Sequence, residues 1–376
     1  MFLSRLHLRN YRNFAEQVLE LPAQGAAIVG DNGQGKTNLL EAVYYLEIFR
    51  SFRGAPDEQL VRFGEDVFRV EGRLEDDEGR SRSVSAAFDR RGRKKKVAVN
   101  NAEPERLGDA LGQVGAVIFS PSDVELVSGG PGGRRRFLDI VLSLAEPGYL
   151  NALQRYRQTL FQRNTLLRKN SPRGMVELWD AGLVAAGSRV AAARAAWVRE
   201  HANSFAEHYA RVAGGHPGHM TYASSAPELG EAATPADIAA AFAEALAKNA
   251  DREQRRGMTL VGPHRDDLRF TIDGADGSAL ELRTYGSGGQ QRTAAIALRM
   301  VEAETIHAVR GREPIILLDD VFAELDPGRS QRIVDWIENE DGGGQVILTS
   351  PKPTDFELRG QLLPRWGIRD GVVLAG

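Results

Sequence analysis

"GDNGQGKT", Gly30 to Thr37, decides how the rest of the chain is read. Two glycines bracket four residues and are followed by lysine and threonine, the P-loop pattern. Glycines let the backbone curl until its N–H groups face phosphate oxygens. Lys36 then reaches the β and γ phosphates, and Thr37 offers its hydroxyl to Mg²⁺. An ordinary glycine turn shows the same letters, so the flanks matter. "AAIVG" (Ala26–Gly30) reads as a buried strand ahead of the loop. "KTNLLEAVYYLEIF" (Lys36–Phe49) behind it carries apolar residues at helical spacing. The start of that helix adds about half a positive charge where the phosphates would lie. Gly30, Asp31, Asn32, Gly33, Gln34, Gly35, Lys36, Thr37 and Asn38 are therefore the expected nucleotide site.

A P-loop needs an acid to hold its metal. "PIILLDD" (Pro314–Asp320) supplies one: four apolar residues fit a buried parallel strand, with Asp319 and Asp320 at its carboxyl end, where open α/β sheets bind ligands. Alone, this would be a strand and an acidic turn. Beside a P-loop, Asp319 is expected to hold Mg²⁺ through water together with Thr37. Asp320 is expected to orient or deprotonate the attacking water. Lys36, Asp319 and Asp320 are the catalytic candidates.

Upstream of the acidic strand lies "YGSGGQQRT" (Tyr285–Thr293), three glycines and a serine ahead of a helical run, with no lysine near. Ser287 fits a plain helix cap, but a cap alone does not require Gly288 and Gly289. In this place between P-loop and acids, "SGGQQR" resembles the signature motif of ABC-type ATPases. "AELD" (Ala323–Asp326) resembles their D-loop, carried by Glu324, Leu325 and Asp326. The resemblance implies that Ser287, Gly288, Gly289 and Gln290 of one subunit face the γ-phosphate held by the P-loop of another, in an ATP-dependent homodimer.

Further stretches narrow it. "LSRLHLRNYRNF" (Leu3–Phe14) is similar to the opening of the SMC and RecF branch. "FSPSDVELVSGGPGGRRRFLD" (Phe119–Asp139), "VGPHRDDL" (Val261–Leu268) and "LLDDVFAELD" (Leu317–Asp326) resemble the RecF family. This family resemblance implies an α/β ABC-type P-loop ATPase head, a mixed sheet with helices, interrupted by a mainly helical second domain. It implies a slow, DNA-stimulated ATPase using ATP and Mg²⁺ as a switch. It also implies binding to double-stranded or gapped DNA, and RecO and RecR as partners in loading RecA during recombinational repair and replication. The basic groups carry no base-reading information, so the DNA contact is expected to be sequence-independent. Two positions depart from the wider ABC pattern. Asp320 stands where glutamate is usual, which suggests a slow switch. Thr349 and Ser350 stand where many relatives have a γ-phosphate-sensing histidine, leaving Thr349 as the candidate sensor. The turn Ser120–Asp123 is the candidate position of the glutamine loop.

The rest of the chain fits this frame. Residues 1–125 and 258–376 read as the head, with strands resuming at "MTLVG", "DLRFTI" and "ALELR". Residues 126–257 read as mainly helical, including a helix capped by Thr234 with Pro235 and Asp237 in its first turn. Of the 376 residues, 42 % are hydrophobic and 26 % charged, as in ordinary globular proteins. No apolar run approaches the roughly 20 residues of a membrane span, and "MFLSRLHLRN" lacks the features of a signal peptide. The absence of cysteine excludes disulfides and cysteine-held metals, and fits a cytoplasmic protein.

A net charge of −3 gives no global attraction to nucleic acid, so contacts must be local. "DRRGRKKK" (Asp89–Lys96) puts Arg90, Arg91, Arg93, Lys94, Lys95 and Lys96 at an apparent hairpin tip, either a solvated turn or a track for a phosphate backbone. Arg134–Arg136 start a helix with apolar spacing behind it and are expected to pair internally with acids. Arg155, Arg157, Arg163, Arg168 and Lys169 form a third basic group. His264 to Asp267 read as a salt-bridge cluster in preference to a metal site. The alternative classes are an ABC subunit driving a membrane transporter and a small-molecule kinase. The opening strand and helical insertion argue against the first, and "SGGQ" against the second. A full SMC protein needs heptad coiled coils that are missing from the insertion.

Overall fold

A computed structural model describes residues 1–76, 78–226, 234–338, 344–352, 357–358 and 360–374. The chain divides into two compact units, Met1–Asp123 with Leu298–Gly376, and Val124–Ala297.

The first unit is built on two sheets. In the six-stranded sheet the order is Val372–Leu374, Arg365–Arg369, Gly25–Val29, Val346–Ser350, Ile315–Leu318, Ala116–Phe119. All neighbours in it are parallel except the terminal hairpin. "AVIF", "IILL" and "VILTS" are buried at every position, as expected for parallel strands covered on both faces. The second sheet is antiparallel, in the order Phe14–Glu20, Phe2–Tyr11, Val67–Glu75, Ser81–Asp89, Lys94–Val99. Its strands alternate; in Val67–Glu75 every second residue from Phe68 is buried. The helix Lys36–Ile48 touches strands of both sheets. That position explains why the helix is buried almost all round, Glu41 and Glu47 included.

The second unit carries the helices Pro131–Ala145, Tyr149–Arg168, Asp180–Ala213 and Pro235–Arg256, and a small antiparallel sheet of Gly218–Ala223, Asp267–Asp273 and Ala279–Glu281. Thr234 caps its helix as expected, its hydroxyl accepting from the Asp237 amide in a reciprocal capping box. Two readings change. "GHMTYA" is a strand inside the segment taken as helical, and it pairs with Asp267–Asp273 from Gly218↔Ile272 to Ala223↔Asp267. This pairing carries the unit past the expected division at Gly257 to Ala297. Conversely, Met258–Gly262 is not a strand. Three of its amides are satisfied by side chains: Asn164 accepts from Thr259, Glu253 from Leu260, and Ser225 from Gly262. An apolar run with its backbone satisfied this way needs no strand partner. Among the described residues, no helix is long and apolar enough to cross a membrane.

Candidate nucleotide site

The loop Gly30–Gly35 lies between the strand Gly25–Val29 and the helix Lys36–Ile48, the order its sequence requires. Gly33 and Gly35 have φ of 83° and 113°, which side-chain-bearing residues avoid. At Gly35 a Cβ would also lie 2.4 Å from Asn13 Nδ2. Lys36 is buried, and its Nζ donates to the carbonyls of Gly30 (2.8 Å) and Asp31 (3.2 Å). The ammonium thus lies folded over its own loop, 3.7 Å from Asp320 Oδ2.

Asp319 and Asp320 leave the carboxyl end of the strand Ile315–Leu318. Thr37 Oγ1 donates to Asp319 Oδ1 at 2.9 Å, joining the two expected metal ligands directly. Burial pushes the Asp319 carboxyl above its ordinary range, and the neighbouring Asp320 adds to this against the Thr37 bond. A buried carboxylate beside a hydroxyl, next to a phosphate-binding loop, suits Mg²⁺. That ion takes few protein ligands and completes its shell with phosphate and water. Thr349 lies behind the pair. Its hydroxyl accepts from the Asp320 amide (2.9 Å) and faces Asp319 Oδ1 (3.1 Å) and Asp320 Oδ1 (3.2 Å). Thr349 is buried and engaged by both acids, so contact with a phosphate would require it to leave them. Asp320 itself adopts φ 49°, a left-handed turn that aims its side chain back toward Lys36. The residues expected to form the D-loop follow in the short turn Val321–Glu324 and at Leu325 and Asp326; the side chain of Glu324 lies outside the described residues.

A clamp that no motif of the sequence marks grips the loop. Asn13 Nδ2 donates to the Gln34 carbonyl (2.9 Å), and Asn13 Oδ1 accepts from Asn38 (2.9 Å). Asn38 Oδ1 in turn accepts from Arg53 (3.2 Å). From the far end of the chain, the Gly371 amide donates to the same Gln34 carbonyl and the Asp370 amide to its side chain. The only sequence signal for Asn13 was its place in "NYRNF". The preceding Arg12 forms a two-pronged pair with buried Glu41 at 2.8 and 2.9 Å, and Ser51 also donates to Glu41. At Ser120–Asp123 there is no glutamine. Asp123 is buried, accepts from the Ser120 amide, and pairs with Arg299 at 2.6 Å.

Ser287–Gln290 belong to the second unit, at the start of the helix Gly288–Arg310. The Gln290 amide donates to Ser287 Oγ (3.3 Å) and the Ser287 amide to Gln290 Oε1 (2.8 Å), a reciprocal cap. Ser287 and Gly288 are exposed. The cap reading therefore holds, and it leaves this helix start open to solvent.

The basic hairpin has its turn at 90–93, but its cations are largely engaged. Arg91 pairs with Asp66, Arg93 with Glu58 and Lys96 with Glu103, while Arg90 donates to the Val61 carbonyl. Lys95 is a correction. Strand alternation sends Lys94 and Lys96 outward and Lys95 inward. Inside, Lys95 pairs with Asp57 (2.7 Å), donates to the Phe49 carbonyl and sits over the Tyr45 ring. Burial lowers its pKa, and it cannot track a phosphate backbone from there. The His264–Asp267 cluster is structural. Asp267 takes two bonds from buried Arg134, and Asp266 accepts from Tyr222 and the Ser225 amide. His264 bonds the Tyr156 hydroxyl and is held by burial at a pKa of about 4. Among the described residues, no cluster of three or more histidines and acids could hold a metal.

Comparison with known proteins gives the family. Residues 2–363 match the RecF/RecN/SMC N terminal domain. The chain is 39 % identical over 363 residues to the DNA replication and repair protein RecF of Synechococcus sp. (strain JA-3-3Ab), covering 95 % of this chain and 93 % of that protein. The solved structure of the recombination mediator protein RecF with ATP matches at TM-score 0.90 and 31 % identity, covering all of this chain and 97 % of that one. An Smc head domain from Pyrococcus furiosus matches at TM-score 0.55 and 16 % identity, a likeness of fold alone. A P-loop braced by a carboxylate pair, on a chain similar to RecF along nearly its whole length, has one reading: this chain belongs to the RecF family of DNA replication and repair proteins.

Proposed function

We propose that the chain is an ATP-switched DNA clamp of recombinational repair and replication-fork maintenance. ATP binds at Gly30–Asn38, and Thr37 and Asp319 would hold Mg²⁺, which when bound screens the β and γ phosphates. Ser287, Gly288 and Gly289 of one copy close on the γ-phosphate held by a second copy, so the competent form is a homodimer. Asp320 positions the attacking water, and Thr349 fixes both carboxylates. Hydrolysis, slow and stimulated by DNA, reopens the pair of heads. RecO and RecR are the expected partners, since a similar solved protein is assigned to the RecFOR pathway. Loading of RecA at gaps is the expected outcome.

The observation that carries this reading is the exposed, self-capped helix start at Ser287, with no phosphate-binding lysine beside it. A helix start of this kind favours an anion, and a phosphate on a partner copy is one it can reach. Sedimentation velocity with and without ATP and duplex DNA tests it. Wild type should shift to a dimer with ATP, and Ser287→Arg and Lys36→Ala should remain monomers. Normal ATP-induced dimers of Ser287→Arg would break the shared-site reading.

A further inference from the structure

We propose that the groove between the helices Tyr149–Arg168 and Asp180–Ala213 is a docking surface for the phosphodiester backbone of DNA. The inference rests on the DNA-clamp reading and adds a place for the contact. The groove, of about 510 Å³, is lined by Asn151, Arg155, Gln158, Thr159 and Arg189, with Gly182 beside Thr159. No aspartate or glutamate lines it. The helix Tyr149–Arg168 contains no acid at all, and the helix Asp180–Ala213 has none between Asp180 and Glu200.

The neighbouring arginines make the contrast. Arg157 and Arg194 are held by Asp139, and Arg163 by Asp180 and Glu253. Arg155 and Arg189 are exposed and make no ion pair among the described residues. Two guanidinium forks in an acid-free groove create a local positive potential on a chain whose net charge is −3. Arginine forks match phosphate oxygens in pairs. The amides of Asn151 and Gln158 and the Thr159 hydroxyl suit phosphate and sugar oxygens, contacts that position a duplex without reading its sequence. The groove has room for more than one phosphate, which favours a run of backbone over a free ion.

The test is fluorescence anisotropy of a short labelled duplex, titrated across salt with ATP present. The proteins compared are wild type, Arg155→Gln/Arg189→Gln, and Ala185→Glu, which adds an acid to the groove wall. The double variant should bind roughly 10- to 100-fold more weakly, with a log–log salt slope smaller by about 2, and should keep its ATP affinity. Ala185→Glu should weaken binding in the same direction. Unchanged slope and affinity in both variants, with wild type binding, overturn the groove alone. Displacement of the duplex from wild type by inorganic phosphate at matched ionic strength also overturns it, because the site would then be one for single anions. A wild type that does not bind duplex at all overturns the clamp reading as well, and the wild-type arm tells these failures apart.

Discussion

The helices Lys36–Ile48 and Gly288–Arg310 both begin after glycine-rich loops, yet their first turns are put to different uses. The first start is walled in: Lys36 is buried, Thr37 is tied to Asp319, and Asn13 with the Asp370–Gly371 turn grips the loop. The second is exposed and satisfies itself through Ser287 and Gln290. Both carry the same helix dipole. The difference teaches that the dipole does not name the ligand; the charges and donors brought alongside it do. One start brings a buried lysine and a carboxylate-tied threonine to its first turn, whereas the other brings exposed amides and a hydroxyl.

The largest expected effect breaks the comparison at its charged side. Lys36→Ala should lower ATP affinity by about 100-fold or more, the loss from removing charge-assisted bonds to phosphate. Ser287→Arg should leave the ATP affinity of the monomer within about twofold, since its helix start does not hold the nucleotide in its own unit. Equilibrium binding of a fluorescent ATP analogue measures both, and equal losses would erase the distinction.

Asp319→Asn separates stability from function. The carboxyl is buried and its pKa raised, so in the absence of metal the ionised form is disfavoured. A raised pKa means that stability is greatest with the group protonated and is lost as pH rises through the folded-state value. The asparagine stays neutral, so thermal unfolding near neutral pH should show it about 1 kcal/mol more stable. It should nevertheless lose Mg²⁺-dependent ATP hydrolysis.

Asn13→Ala removes the bridge from the Gln34 carbonyl to Asn38. Two bonds of about 0.5–1.5 kcal/mol each fall away, and ATP affinity should drop about tenfold. An unchanged affinity would mean that Asp370 and Gly371 hold the loop unaided. The smallest change is expected for Gln290→Ala, which removes one half of the reciprocal cap at Ser287. It should cost about 0.5–1 kcal/mol of local order, read as a few-fold weaker ATP-induced dimer with unchanged monomer affinity for ATP.

The P-loop and the acidic strand were legible because their chemistry is local. Glycine spacing sets where the amides point, and four consecutive apolar residues mark a buried strand, whatever surrounds them. The capped helix at Thr234 was legible for the same reason. The strand Gly218–Ala223 was not, because its partner lies beyond a whole helix at Asp267–Asp273. The "MTLVG" stretch misled because side chains take up its amides: Asn164 and Ser225, distant in sequence, and Glu253 at the end of the preceding helix.

Sequence by itself determined the family, the order strand–loop–helix at Gly30–Thr37, the acids at Asp319 and Asp320, and the presence of a second glycine-rich helix start. Only the tertiary structure decided which charges remain available. Lys95 is turned in to Asp57, Arg163 is buried between Asp180 and Glu253, and Thr349 is locked to both acids, whereas Arg155 and Arg189 stay open. A charged residue's partner is chosen by distance in space, and a sequence lists neighbours only along the chain.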